Sequence, residues 1–229
     1  MKYFISDLHF FHANILNMDD RNFDNITEMK EYIINVWNSR VKPNDEVFIL
    51  GDFSWDNGAN TYDLLTKLRG KLYLIKGNHD YRYLEDKNFD DYIFEDVRDY
   101  METRFEKKKI IMSHFPMPFY NHQFSDNCYM LYGHVHNTYD EYLLNRFINF
   151  SSKYERGTAG GEVQTTPFNM INVFCGFCGY IPRTIDEWIE IDKKRRSLIN
   201  EFEETCGGFI EFSKWNEFNK TILSNFEGK

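Results

Sequence analysis

Leu72-Tyr73-Leu74-Ile75-Lys76-Gly77-Asn78-His79-Asp80 runs from a short apolar segment into a glycine turn that carries an amide, an imidazole and a carboxylate at successive positions. The apolar half, Leu72–Ile75, reads as a buried β-strand, and the polar half starts where that strand ends. The same arrangement repeats on both sides. Upstream, Lys2–Ile5 leads into Ser6-Asp7-Leu8-His9, and Val47–Leu50 leads into Gly51-Asp52. Downstream, Lys109–Met112 delivers Ser113-His114, and Cys128–Tyr132 delivers Gly133-His134-Val135-His136. Strands of one sheet end side by side whatever their separation in sequence. The layout therefore gathers these groups at the carboxyl ends of the strands, where open α/β sheets bind their ligands.

Between these strands the first half of the chain reads as helical. Asn25 followed by Glu28 resembles a capping box, and Met29, Ile33 and Trp37 then recur at helical spacing. Pro43-Asn44-Asp45 marks a turn, a second helix is expected from Asn60 to Leu68, and Gly70 suits its stop. Val97–Phe105 and Lys109–Met112 read as the arms of a hairpin with Glu106–Lys109 at its turn, and Met170–Phe174 as the last core strand. Hairpin-like pairs are thus expected to dominate the second half. Thr138–Thr166 is long and polar, with Gly157-Thr158-Ala159-Gly160-Gly161 inside it, and reads as a surface excursion, with a substrate lid as the alternative. Arg195–Lys229 is helix-like, and Trp215, Phe218, Ile222 and Phe226 form one stripe that is expected to pack on the rest of the chain. The expected fold is α/β, with two mixed β-sheets packed as a sandwich and flanked by helices. One domain is expected over 1–190, with 191–229 as a helical C-terminal extension packed on it.

At 229 residues with 42% apolar content, the chain is long enough for one substantial core. Its net charge of -9 argues against the basic footprint that sequence-independent nucleic-acid binding requires. The stretch Met1–Asp7 is too short for a secretory leader, and no run approaches membrane-spanning length. Cys128, Cys175, Cys178 and Cys206 do not read as a disulfide framework in a chain of this size. A cytoplasmic location with no membrane association is the expectation.

The ligand-type side chains point to metal chemistry. Asp7 and His9 are two residues apart at a strand end, as are His134 and His136, and in extended backbone such residues point to the same side. Asp52 can lend one oxygen to each of two ions, Asn78 offers an amide oxygen, and His114 adds an imidazole. Together Asp7, His9, Asp52, Asn78, His114, His134 and His136 suffice for two divalent cations sharing a carboxylate. This mixture of hard and borderline ligands suits Mn, Fe, Zn, Co or Ni. Such pairs sit ~3.5–4 Å apart, clamp the attacking and leaving oxygens of an in-line displacement at phosphorus, and make hydroxide available near neutral pH.

The five blocks, in this order, resemble the calcineurin-like metallophosphoesterase superfamily, whose pattern is Asp-x-His, Gly-Asp, Gly-Asn-His-Asp/Glu, His and Gly-His-x-His. The resemblance spans residues 2–182. Ser6-Asp7-Leu8-His9-Phe10-Phe11-His12-Ala13-Asn14-Ile15 and Ser113-His114-Phe115-Pro116 are similar to the wording of small bacterial and phage members. The resemblance implies a four-layer α-β-β-α sandwich. It also implies a dinuclear-metal-dependent phosphoesterase that hydrolyses phosphodiesters, or small phosphomonoesters, by attack of a metal-activated hydroxide on phosphorus. One metal would take Asp7, His9, Asp52 and His136, and the second Asp52, Asn78, His114 and His134, with manganese the expected ion. His79 would stand over the scissile group without being a ligand, and Asp80 would orient and polarise the His79 imidazole. The sequence departs from the family where Trp55 stands in place of a further acid, with Asp56 one position later. The segment beyond Glu190 has no counterpart, and the connection after His136 is longer than usual.

His12, three residues beyond His9, and Arg21, with its planar donor fork, are the candidates for contact with a substrate phosphate. His122 reads as structural. Cys175 and Cys178 form a lone Cys-x-x-Cys, short of the second pair that a zinc ribbon needs. Lys107–Lys109 and Lys193–Arg196 read as a solvated turn and a helix face. The expected partner is a small phosphoester, nucleotides among the candidates. Two alternatives belong to other classes: a metal-dependent nuclease, disfavoured by the acidic balance, and a catalytically silent interaction scaffold of the same fold. The scaffold is disfavoured because all seven ligand positions and His79 carry chemically competent side chains.

Overall fold

A computed structural model of the chain describes residues 1–157 and 159–226; Thr158, inside the glycine-rich stretch, and 227–229 lie outside the described residues. The first half holds β1 (Lys2–Ile5), α1 (Ile15–Met18), α2 (Ile26–Arg40), β2 (Glu46–Ile49), α3 (Gly58–Leu65), β3 (Lys71–Ile75), α4 (Tyr81–Leu84) and β4 (Asp96–Arg98). The second half holds β5 (Tyr100–Phe105), β6 (Lys108–Ser113), β7 (Cys128–Tyr132), α5 (Tyr139–Ser151), β8 (Glu155–Gly157), β9 (Val163–Thr165), β10 (Met170–Asn172), α6 (Ile185–Thr205) and α7 (Phe212–Ser224).

Strands β1-β2-β3-β4 form a parallel sheet in that order. A second sheet has the order β10-β7-β6-β5, and in it only β5 runs antiparallel to its neighbour. A backbone bridge between Ser6 and Phe174 ties the chain just beyond β1 to the chain just beyond β10, at facing edges of the two sheets. Side chains of the second sheet alternate between two apolar clusters, as a period of two requires. Ile110, Met112, Leu131 and Ile171 join the main core with Phe4, Ile5, Val47 and Leu74 of the first sheet. Ile111, Met130, Tyr132 and Met170 point the other way, onto Ile148 of α5. The expected two-sheet sandwich with helices on its outer faces is thus what the chain forms.

The helix starts follow from their caps. Asn25 Oδ1 accepts the N–H groups of Thr27 and Glu28, both at 3.0 Å, while the Glu28 carboxylate takes the N–H of Asp24 at 2.6 Å, one residue earlier than a capping box places it. The second helix begins at Gly58 rather than Asn60, because Asn57 supplies the cap.

The second half departs from expectation in three ways. The first arm of the expected hairpin is split: Asp96–Arg98 extends the first sheet beside β3, the chain bends at Asp99, and only Tyr100–Phe105 pairs with β6. Hairpins do not dominate either. β6, β7 and β10 run parallel, since the long connections between them return the chain to the same end. Thr138–Thr166 is no irregular excursion: it holds α5, with Tyr142 and Ile148 buried, and the β8–β9 hairpin.

Helix α6 starts at a true capping box, Thr184 with Glu187, and runs on through residue 190. Its Arg195 is buried against Glu141 of α5 at 2.5 Å. Helix α7 buries Trp215, Ile222 and Leu223, and its Phe218 stacks on Phe202 of α6 with ring centroids 3.9 Å apart. No described helix is long and apolar enough to cross a membrane.

Candidate metal centre

The five blocks meet at one end of the two sheets, beyond the ends of β1, β2, β3, β6 and β7. Asp7, His9, Asp52, His134 and His136 all have left-handed backbone, with φ of 57°, 50°, 52°, 70° and 44°. The convergence of Asp7 with His9, and of His134 with His136, therefore does not come from extended backbone, as the spacing suggested. Tight turns aim these side chains instead, and the surrounding main chain holds them: Asp7 N–H bonds Gly51 O at 3.0 Å and His9 N–H bonds Asp52 O at 2.9 Å. Non-glycine residues in this region are uncommon and strained, and such strain concentrates at functional sites. The glycines of the blocks permit the approach. A Cβ on Gly77 would lie 2.3 Å from Asp52 Oδ1, and one on Gly133 would lie 2.5 Å from Asp7 Oδ2.

Two ligand clusters result. Ligand atoms of Asp7, His9 and His136 lie within 4.8 Å of one another, and so do those of Asp52, His114 and His134. In the first, His9 Nε2 and His136 Nε2 are 3.2 Å apart, and His136 Nε2 is 3.5 Å from Asp7 Oδ1. In the second, His114 Nε2 is 3.1 Å from Asn78 Oδ1. Asp52 Oδ2 stands between them, 3.6 Å from His9 Nε2 and 3.5 Å from His114 Nε2. Its other oxygen, Oδ1, accepts the His79 backbone N–H at 2.9 Å.

The imidazoles are oriented from behind. His114 Nδ1 donates to Leu50 O and His136 Nδ1 to Asp19 Oδ1, both at 2.8 Å, which leaves each Nε2 for a cation. Asp19 escapes the sequence reading; its only signal is its place in the loop after the first block. Arg21 is corrected as a substrate contact. Its guanidinium is buried and committed, donating to Leu8 O and Asp7 O at 2.8 Å each and to Asp19 Oδ2 at 2.8 Å. It fixes the turn that carries Asp7 and His9.

Electrostatics match the donor set. Burial favours neutral His9 and, with the charges of His136 and Arg21, takes its pKa down to about 3. Burial also opposes charge on His136 and His114, but carboxylates outweigh it. Asp19 and Asp7 push His136 up to about 10, and Asp52 and Asp7 push His114 up to about 9. Against the same burial, His136 holds Asp7 well below the usual carboxylate range, and His114 lowers Asp52. Each cluster thus pairs a carboxylate with a protonated imidazole whose proton a divalent cation can replace. Carboxylates and imidazoles gathered this closely, with Asp7, His9, Asp52 and His114 buried and His134 exposed, fit divalent cations at both clusters.

His79 lies at the mouth, its side chain 31% exposed and its Nε2 3.9 Å from Asp52 Oδ2. Trp55 forms the wall beside it: ring centroids of Trp55 and His79 are 4.2 Å apart. His12 stacks on the same indole at 4.2 Å, and the Arg82 guanidinium lies 4.8 Å from its centroid. Phe115 packs on His134, ring centroids 4.5 Å apart.

Asp80 does not orient the His79 ring as expected. Its carboxylate is fully buried and accepts the backbone N–H groups of Gly77, Asp52 and Phe53 at 2.8, 2.9 and 2.9 Å. Cys175 sits behind the centre, its thiol donating to Asp7 O at 3.2 Å. Burial pushes the Cys178 thiol up to about 12, which leaves it inert.

Comparison with known proteins bears on this geometry. The family model of calcineurin-like phosphoesterases matches residues 3–196. An uncharacterized protein of Methanocaldococcus jannaschii is 42% identical over 80 residues, which are 34% of this chain and 46% of that relative. The match with this curated relative thus spans about half of its length. The crystal structure of a protein of unknown function from Aquifex aeolicus is similar with a TM-score of 0.55 and 26% identity, over 84% of this chain and 98% of that one. A single mutant of Vps29 from Entamoeba histolytica matches at 15% identity and a TM-score of 0.32, over 75% of this chain and 72% of that one.

Proposed function

The chain belongs to the calcineurin-like phosphoesterase family, and from that premise we propose that it hydrolyses phosphodiesters, or small phosphomonoesters, with the aid of two divalent cations. The observation that carries the reading is the position of Asp52 Oδ2, 3.6 Å from His9 Nε2 in one cluster and 3.5 Å from His114 Nε2 in the other. One carboxylate facing two ligand sets is what a shared ligand requires. Asp7, His9, Asp52 and His136 would hold one cation, and Asp52, Asn78, His114 and His134 the second; manganese is the ion the resemblance leads us to expect, and the donor set also suits Fe, Zn, Co or Ni. Bound there, the cations supply positive charge to the phosphate oxygens and make water a nucleophile near neutral pH.

The chain's own residues do the rest. Asp19 and Leu50 O fix the ring planes of His136 and His114. His79, partly exposed beside Asp52, would meet a phosphate at the mouth, stabilising the transition state or protonating the leaving oxygen. Trp55 holds the His79 ring from the side. Residues 1–190 carry this chemistry, and the described part of the remainder, 191–226, packs on them through the rest of α6 and α7.

The chain loaded with Mn²⁺ is expected to hydrolyse bis-p-nitrophenyl phosphate, and Asp52→Asn to lose that activity. Absence of turnover with every divalent metal tried would overturn the reading in favour of a silent scaffold.

A further inference from the structure

Beyond residue 196, where the family match ends, the chain adds α7. Two consecutive residues of this helix reach the immediate neighbours of the metal centre. Asn137, next to His136, donates from Nδ2 to Asn219 O at 2.8 Å, and Asn219 Nδ2 returns a bond of 3.4 Å to Asn137 O. Lys220 pairs at 3.0 Å with Asp20, next to Asp19. Asp19 and His136 are themselves bonded at 2.8 Å. One turn of helix therefore grips the chain neighbours of both members of a single hydrogen bond, from two loops 117 residues apart. Asn172 Nδ2 donates to His136 O at 2.8 Å and Phe174 stacks on the ring at 4.9 Å, so the histidine has its own support. The link between its loop and the Asp19 loop is what α7 adds.

We propose that α7 is a strap for one of the two cation sites: its docking fixes the His136–Asp19 pair, and so sets the affinity of the Asp7–His9–His136 cluster for a divalent cation, while the Asp52–His114–His134 cluster does not depend on it. The inference rests on reading the centre as a metal site. Asn137 and Lys220 act through Asp19 and His136 and are positioning residues. A histidine ligand whose outer partner shifts loses metal affinity by about 10–100-fold.

The test is Mn²⁺ titration of the native chain and of an Asn137→Ala/Lys220→Glu variant, followed by the electron paramagnetic resonance signal of free Mn²⁺. The step belonging to the strapped cluster is the one that disappears in His136→Ala. In the strap variant that step is expected to weaken about tenfold, with the other unchanged. Lys220→Glu alone changes a side chain that is 62% exposed and leaves Trp215 and Ile222 in place. It is expected to give a smaller loss at the same step, recovered when Asp20→Lys is added. Equal weakening of both steps, no weakening of either, or no recovery by the charge swap overturns the strap. A native chain that takes up no Mn²⁺ overturns the reading of the centre itself.

Discussion

Asp80 Oδ2 accepts the backbone N–H of Asp52 at 2.9 Å. With the N–H groups of Gly77 and Phe53 on the same carboxylate, one buried acid staples the turn after β2 to the turn after β3 and fixes where the Asp52 side chain stands. Burial and the charge of Asp52 push its pKa up to about 6, against the pull of those donors. Asp80→Asn keeps the shape but turns an N–H donor toward a backbone N–H. It is expected to destabilise the protein by about 1–3 kcal/mol, read from urea denaturation midpoints. An unchanged midpoint would mean that the staple carries no weight.

His79 holds Asp52 through its backbone N–H, at 2.9 Å from Oδ1. His79→Ala therefore removes the ring and leaves the ligand geometry intact. Turnover of bis-p-nitrophenyl phosphate is expected to fall ~10²–10⁴-fold, the scale of a lost general acid, while metal analysis still finds two Mn²⁺ per chain. Loss of metal in this variant would make His79 a ligand instead.

The residues that gather at the centre are legible in the sequence because each follows an apolar strand, and strand ends are local features. What lies between sheets is not. Asp96–Arg98 and Tyr100–Phe105 read as one arm because alternation does not say which partner a strand takes, and the bend at Asp99 sends them to different sheets. Arg21 looks free because its acceptors, Asp7 O and Leu8 O, are main-chain atoms. Asp19 is hidden because its partner is 117 residues away. Helix α5 is masked by its own buried face: Glu141, paired with Arg195, and Asn145, bonded to Glu141, sit inside it where the helical pattern calls for apolar side chains.

Gly133 leaves little room beside Asp7. A Cβ there would lie 2.5 Å from Asp7 Oδ2 and 2.7 Å from Ser6 Cβ. Asp7 has no room to retreat, since its oxygens already accept the Ser6 hydroxyl at 2.6 Å and the His134 N–H at 3.0 Å. Gly133→Ala is expected to cost about 1–3 kcal/mol, the scale of overpacking, and to weaken Mn²⁺ binding as well. Gly157→Ala, where nothing among the described residues lies within 4 Å of the added carbon, is the control and is expected to leave both the thermal midpoint and metal binding unchanged.

The His136–Asp19 pair sets a pH dependence on the cation-free protein. Burial opposes the charge on His136, but Asp19 and Asp7 outweigh it and raise its pKa from 6.5 to about 10. A raised folded-state value means that the protonated ring stabilises the fold; the contribution is complete below pH 6.5 and is lost as pH rises through about 10. Asp19 is the opposite case: against burial, His136 and Arg21 lower it from 3.8 to about 2, so its contribution is present above pH 3.8 and is lost as pH falls through about 2. In EDTA the urea midpoint is therefore expected to decline on the alkaline side, between pH 6.5 and about 10. His136→Gln should reduce that decline without abolishing it, because His114, raised to about 9, titrates in the same window. Saturating Mn²⁺ should flatten it, since a cation binds the neutral imidazoles and takes over the role of their protons. A midpoint that stays level across this window in EDTA would show that the two imidazoles are already neutral in the folded chain, and that cation binding displaces no protons from them.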